Sequence, residues 1–164
     1  MQQVRVELLQ QMPIFGGVDA AALQLLLEPA PSVTVSAGAF FFRERDPADC
    51  MYVLECGRVA VLKDWGGREL LLRHLGVGDC FGEMALLDLF PRSASVRALD
   101  DCRAIALTPA HLSQLFEHSA EQFALVQMNI AREMSRRLRD ADEQLFRATT
   151  GEQQPMRETV FQSF

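Results

Sequence analysis

Apolar positions along the chain change rhythm twice. The first stretch spaces Val6, Leu8, Leu9 and Met12 as one face of a helix, with Phe15 ahead of a Gly16-Gly17 break. Asp19 is placed to cap a second short helix through Ala22, Leu23, Leu26 and Leu27, which Pro29 and Pro31 end. From Val33 the texture becomes short apolar runs between turn residues. Val33–Val35, Phe40–Phe42, Met51–Leu54, Val59–Leu62, Leu70–Leu72, Val96–Ala98 and Arg103–Leu107 read as strands. Gly38, Asp46-Pro47, Gly57 and Asp64-Trp65-Gly66-Gly67 supply the turns between them.

Helical spacing returns after Thr108, the expected cap, with Pro109 at the first helical position. Ser119 and Gln122 have the spacing of a capping box that opens a long helix to about Arg147. On it Ala131, Met134, Leu138, Ala141 and Leu145 alternate at intervals of three and four. That stripe fits a seam with a second copy of the helix, or packing on the domain's own strands. From Ala148 the pattern dissolves into a polar tail carrying Val160, Phe161 and Phe164. The expectation is α+β: an antiparallel β-roll, jelly-roll-like, flanked by N-terminal helices and a long C-terminal helix. One domain spans residues 1–147, with 148–164 as a flexible tail.

Composition narrows this little. The chain has 164 residues, 49% of them apolar and 23% charged, which is enough for one substantial core. No apolar run approaches the ~18–20 residues of a membrane span. The start, Met1-Gln2-Gln3-Val4-Arg5, lacks the shape of a signal peptide. Cys50, Cys56, Cys80 and Cys102 show neither CxxC nor zinc spacing, so free thiols and a cytoplasmic setting are expected. A net charge of −6 argues against a broad nucleic-acid face. Arg132, Arg136, Arg137 and Arg139 are interleaved with Glu133 and followed by Asp140, Asp142 and Glu143, the pattern of a salt-bridged helix face.

The chemistry concentrates in Phe81-Gly82-Glu83-Met84-Ala85-Leu86 and, shortly after, Arg92-Ser93-Ala94-Ser95-Val96-Arg97-Ala98. A helix start offers unpaired N–H groups to an anion, and Arg92 adds a planar fork of donors. Glu83 accepts from hydroxyls but repels a phosphate, so its partner is a diol set apart from the anion. Glu83 and Arg92 have a second reading as a salt bridge pinning a turn to a strand, although buried ion pairs contribute little net stability. The histidines His74, His111 and His118 are scattered and form no ligand or catalytic cluster, so no metal, no cofactor and no enzyme activity are expected.

With the turns Gly38, Asp46-Pro47-Ala48-Asp49 and Gly76-Val77-Gly78-Asp79, this stretch resembles the cyclic-nucleotide-binding domain of the catabolite activator family and of cAMP-dependent kinase regulatory subunits. The resemblance covers roughly residues 5 to 147 and is most specific in the phosphate-binding cassette. It implies that Gly82 lets the backbone approach the ligand and that Glu83 binds the ribose 2′-hydroxyl. It implies too that Arg92 pairs with the cyclic phosphate, helped by Ser93 and by the N–H groups of Ala85 and Ala94, with Met84 beside them. Val61 and Leu72 would form an apolar wall, and the long helix would close over the base with Arg137 and Ala141 near it. Three departures accompany it: Arg45 stands where the family often has glycine, Ala141 and Asp142 stand where the activator carries base-reading hydroxyls, and only about seventeen residues follow the helix.

The resemblance implies a cAMP sensor, with cGMP also accommodated, that moves its C-terminal helix and signals through a homodimer or a protein partner. Direct DNA binding and membrane association are not expected, for a helix-turn-helix needs more chain than follows the helix. Two further readings are a ligand-free dimerisation module of the same fold and the sensor part of a transcription regulator without its DNA-binding domain.

Overall fold

The computed structural model of the chain describes residues 6–7 and 9–151, with Ala85 described by its backbone alone. Val6, Glu7, Leu9 and Gln10 are helical, and Pro13–Phe15 forms a 3-10 turn. Helix α1, Ala20–Leu27, begins where the Asp19 carboxylate accepts the Ala22 N–H at 2.7 Å. Eight antiparallel strands follow: β1 (Ser32–Val35), β2 (Phe40–Phe42), β3 (Met51–Cys56), β4 (Val59–Trp65), β5 (Arg68–Leu75), β6 (Cys80–Phe81), β7 (Ser95–Ala98) and β8 (Cys102–Leu107). A one-turn helix α2, Met84–Asp88, sits between β6 and β7; α3 (Pro109–His118) and α4 (Ala120–Thr150) follow β8.

The strands form two four-stranded sheets, ordered β1-β8-β3-β6 and β2-β7-β4-β5. Alternation along the strands builds two cores. On β3, Met51 and Val53 face the helices, packing with Phe15, Leu23, Leu115 and Ile130. Leu54 faces the interior of the roll, with Phe81, Val96 and Ala104. A strand with both faces covered reads as a continuous apolar run, as β3 and β8 do. On β7 Val96 and Ala98 point inward while Ser95 and Arg97 stay half-exposed.

The β-roll expectation holds, with differences at the edges. The two-residue β6 is too short to register as a periodic signal. Strand β4 runs on to Trp65, and the Leu70–Leu72 run of β5 is about half exposed because the β4–β5 hairpin extends past the sheet. Ser119 caps α4 as expected by accepting the Gln122 N–H, but the Gln122 side chain does not return to Ser119. Its amide oxygen instead accepts the Asp19 N–H at 2.9 Å, joining α4 to the start of α1. Helix α4 continues three residues beyond Arg147, to Thr150, before Gly151 closes it in the left-handed conformation. The polar tail with Val160, Phe161 and Phe164, and the start Met1–Arg5, lie outside the described residues.

Candidate functional site

Two backbone bonds fix Arg92 before its side chain does anything. Its N–H donates to Asp46 O at 3.0 Å and its carbonyl accepts from Arg45 N at 2.8 Å, anchoring it to the β2–β3 loop. That loop turns at Arg45, whose φ of 72° explains why a glycine would also serve there. The Arg92 side chain is 3% exposed and lies over the Phe42 ring, 4.0 Å from guanidinium carbon to centroid, with Tyr52 5.9 Å away. Its Nη1 donates to Gly82 O at 3.2 Å and its Nη2 meets Cys50 Sγ at 3.8 Å. The nearest carboxylate oxygen among its ion pairs is that of the exposed Asp49, at 4.0 Å, and Nε has no hydrogen-bond partner among the described residues. A buried guanidinium on an aromatic shelf, with weak partners, is electrostatically unfinished and suited to an anion.

Gly82 makes room for it. Its φ is 77°, and a Cβ there would fall 2.5 Å from Arg92 Nη1. The tight approach at this glycine is therefore made by the arginine.

Glu83 is 5% exposed and does not pair with Arg92, so the turn-pinning salt bridge is absent. Its Oε1 accepts instead from Arg137 Nη1 at 3.0 Å, while Oε2 is buried without a hydrogen-bond partner among the described residues. Arg137 comes from α4. It also donates to Cys80 O at 2.5 Å and to Glu133 Oε1 at 2.9 Å. Burial pushes the Arg137 pKa down, but Glu83 and its neighbours more than reverse this, leaving it above the ordinary value. The guanidinium thus joins the cassette carboxylate to the long helix.

These groups border one cavity of about 620 Å³. Glu83, Arg92, Ser93 and Ala94 line it on the cassette side, with Gly82 and Met84. Val61 and Leu72 form part of its apolar wall, and Arg137 lines it from α4. Ala141 does not: it is exposed one turn beyond Leu138, the last helix residue to reach the cavity, and Asp142 beside it is exposed too. Ala85 is in α2, with nothing described beyond its backbone. The sequence alone did not single out Phe42 and Tyr52 as the shelf under Arg92, nor Lys63. Lys63 was detectable as the residue two beyond Val61 on β4, hence on the same face. Arg73 also lines the cavity, from β5.

Burial raises the Cys50 thiol and pushes Cys80 up to about 12, so both stay protonated near neutral pH and offer no thiolate. None of the four cysteines is in a disulfide. Among the described residues no group of His, Cys, Asp and Glu is arranged to hold a metal ion. No described helix is long and apolar enough to cross a membrane.

Residues 32–119 match the family model described as the cyclic nucleotide-binding domain. The chain is 34% identical over 134 residues to the cyclic AMP receptor protein of Thermus thermophilus, covering 81% of this chain and 60% of that protein. It is 29% identical over 140 residues to the CRP-like cAMP-activated global transcriptional regulator of Mycobacterium tuberculosis, covering 85% and 61%. Among solved structures, the Thermus thermophilus catabolite activator protein superposes with a TM-score of 0.73 at 33% identity, covering 84% of this chain and 63% of that one. The chain thus spans about three-fifths of the length of these two curated relatives.

Proposed function

The chain belongs to the cyclic nucleotide-binding domain family, and from that premise we propose that it is a regulatory module whose ligand is cAMP and whose output passes through α4. One observation carries the reading. A buried arginine without a close carboxylate and a buried glutamate with one unpartnered oxygen face the same cavity. Arg92, with the Ser93 hydroxyl and the Ala85 and Ala94 N–H groups, takes the cyclic phosphate. Glu83 Oε2 accepts from the ribose 2′-hydroxyl while Oε1 keeps Arg137. Val61 and Leu72 hold the base, and Met134 with Leu138 covers it. Ligand that binds better with α4 docked shifts the population toward that arrangement.

The Thermus thermophilus and Mycobacterium tuberculosis relatives carry cAMP in their names, which supports that nucleotide. A specific observation favours cGMP as the second reading. Arg73 offers donors only, and guanine presents two acceptors, N7 and O6, on one edge where adenine pairs an acceptor with a donor. Isothermal titration with cAMP, cGMP and a cyclic dinucleotide separates these readings. Micromolar or tighter binding of cAMP supports the first. Preference for cGMP supports the second, and binding of none leaves a ligand-free assembly module.

The role is binding rather than catalysis, in a cytoplasmic setting. Because the relatives are longer, the sensor part of a transcription regulator stays a candidate for the output, with a separate protein partner as the other. The stripe Leu138, Ala141, Leu145 supports a homodimer: Leu138 and Leu145 are 63% and 67% exposed, so the roll does not cover them. The occupant we assign is a second copy of α4, because the intervals of three and four are a coiled-coil repeat flanked by both signs of charge.

A further inference from the structure

Lys63 stands outside the cassette, on β4, yet it and its partner Glu44 make one contact each to the residues flanking Ala94. Its ammonium donates to Ser93 O at 2.7 Å and to Glu44 Oε1 at 2.6 Å. Glu44 Oε2 accepts the Asp64 N–H at 3.0 Å, tying the carboxylate back to β4. The Glu44 N–H donates to Ser95 Oγ at 2.8 Å. Ser93 and Ser95 are therefore both held, and Ala94 between them is buried.

An exposed Lys–Glu pair by itself contributes little and needs no third partner. The contact to Ser93 O has a consequence that such a pair lacks. In a planar trans peptide the C=O of Ser93 and the N–H of Ala94 point in opposite directions. A cation on the carbonyl side fixes the direction of that N–H and draws charge out of it, strengthening it as a donor. Lys63 also lines the cavity that Arg92 and Ser93 line, so its charge acts on the same anion.

We propose that Lys63 is a positioning residue for anion capture, holding the Ser93–Ala94 peptide so that the Ala94 N–H is aimed and polarised toward a cyclic phosphate. The proposal rests on the reading of this cavity as a cyclic-nucleotide site, and it adds a β4 lysine to the machinery that the cassette alone does not contain.

The test is titration calorimetry with cAMP and cGMP on the wild type, Lys63→Met and Lys63→Arg, with melting curves to check folding. Lys63→Gln replaces the methionine variant if that one does not fold. The neutral variants should bind several-fold more weakly: the Lys63–Ser93 bond is made without nucleotide, so what binding loses is the aiming and strengthening of the Ala94 N–H. Lys63→Arg, which keeps charge and donors, should recover most of the affinity. Amide spectra supply the readout that a merely structural role would not move. With nucleotide bound, the Ala94 N–H proton should shift upfield in Lys63→Met while amides on the far sheet stay fixed. Unchanged affinity and an unmoved Ala94 amide in a folded neutral variant would overturn the proposal and leave the nucleotide site standing. A wild type that binds neither nucleotide removes the site itself, and the proposal with it.

Discussion

Arg92 has two energetic signatures of opposite sign, and they separate a ligand site from a structural charge. In the free protein its guanidinium is buried with weak partners, so its desolvation is poorly offset. Arg92→Met keeps the bulk over Phe42 and removes the charge. Denaturation should show stability unchanged or slightly raised, whereas calorimetry should show cAMP affinity falling by about 2–4 kcal/mol, the range for losing one side of a buried charge pair. A variant that loses stability and keeps affinity would mean the arginine serves the fold. Gly82→Ala provides the converse case: at φ 77° an alanine costs about 1–2 kcal/mol and its Cβ displaces Arg92 Nη1. Both stability and affinity should fall there. Gly82, Glu83 and Arg92 were legible in the sequence because a cassette is a linear spacing. The partner of Glu83 was not, since 54 residues separate it from Arg137 and only the docking of α4 brings them together.

Elements differ in how loudly they announce themselves. Thr108-Pro109, Asp19 and Ser119 carry local capping chemistry, so α1, α3 and α4 could be read from a few residues. Strand β6 could not, because two residues hold no period, and the exposed half of β5 has the apolar composition of a buried strand. Nor could the sequence show that Asn129 fastens α4 to the N-terminal turn. Its amide donates to Ile14 O at 3.1 Å and to Gly16 O at 2.9 Å. Asn129→Ala leaves the buried Ile14 carbonyl and the half-buried Gly16 carbonyl without that donor, and urea denaturation should show a loss of about 1–3 kcal/mol with an unchanged slope. The Glu44–Lys63 contact between the β2–β3 loop and β4 should appear as a pH dependence. Hydrogen bonds from Lys63 and the Asp64 N–H hold the Glu44 carboxyl below its ordinary 4.5. A depressed folded-state pKa contributes stability above the unfolded value and loses it as pH falls through the folded one. The stability gap between wild type and Glu44→Gln should therefore be constant above about pH 5.5 and close as the solution is acidified below 4.5. A gap that persists through that window would show that the carboxylate charge is not what holds the loop.

At the scale of the whole molecule, α4 borders the cavity and also carries an exposed apolar stripe. It is 31 residues, about 46 Å, and only its first half is buried against the roll. Met134, the second member of the stripe, packs on the domain and lines the cavity, whereas Leu145 and the neighbouring Phe146 are exposed. Leu138 does both, bordering the cavity while standing 63% exposed. The sequence left open whether the stripe met a partner or the roll; the structure packs Met134 on the domain and leaves Leu138 and Leu145 mostly exposed. If two copies pair along the distal half, nucleotide binding and dimerisation share one helix, and coupling between them would be reciprocal. Leu145→Glu tests this without touching the cavity. Sedimentation equilibrium should show the wild type as a dimer that tightens with cAMP, and the variant as a monomer at the same concentration. Calorimetry on the variant should then give a cAMP affinity lower than that of the wild-type dimer, by the square root of the factor through which saturating cAMP tightens that dimer, because two sites fill for each dimer formed. A variant that is monomeric yet binds cAMP as the wild type does would show that the seam and the pocket are independent. A wild type that stays monomeric at high concentration would remove the seam altogether and leave Leu138 as a wall of the cavity.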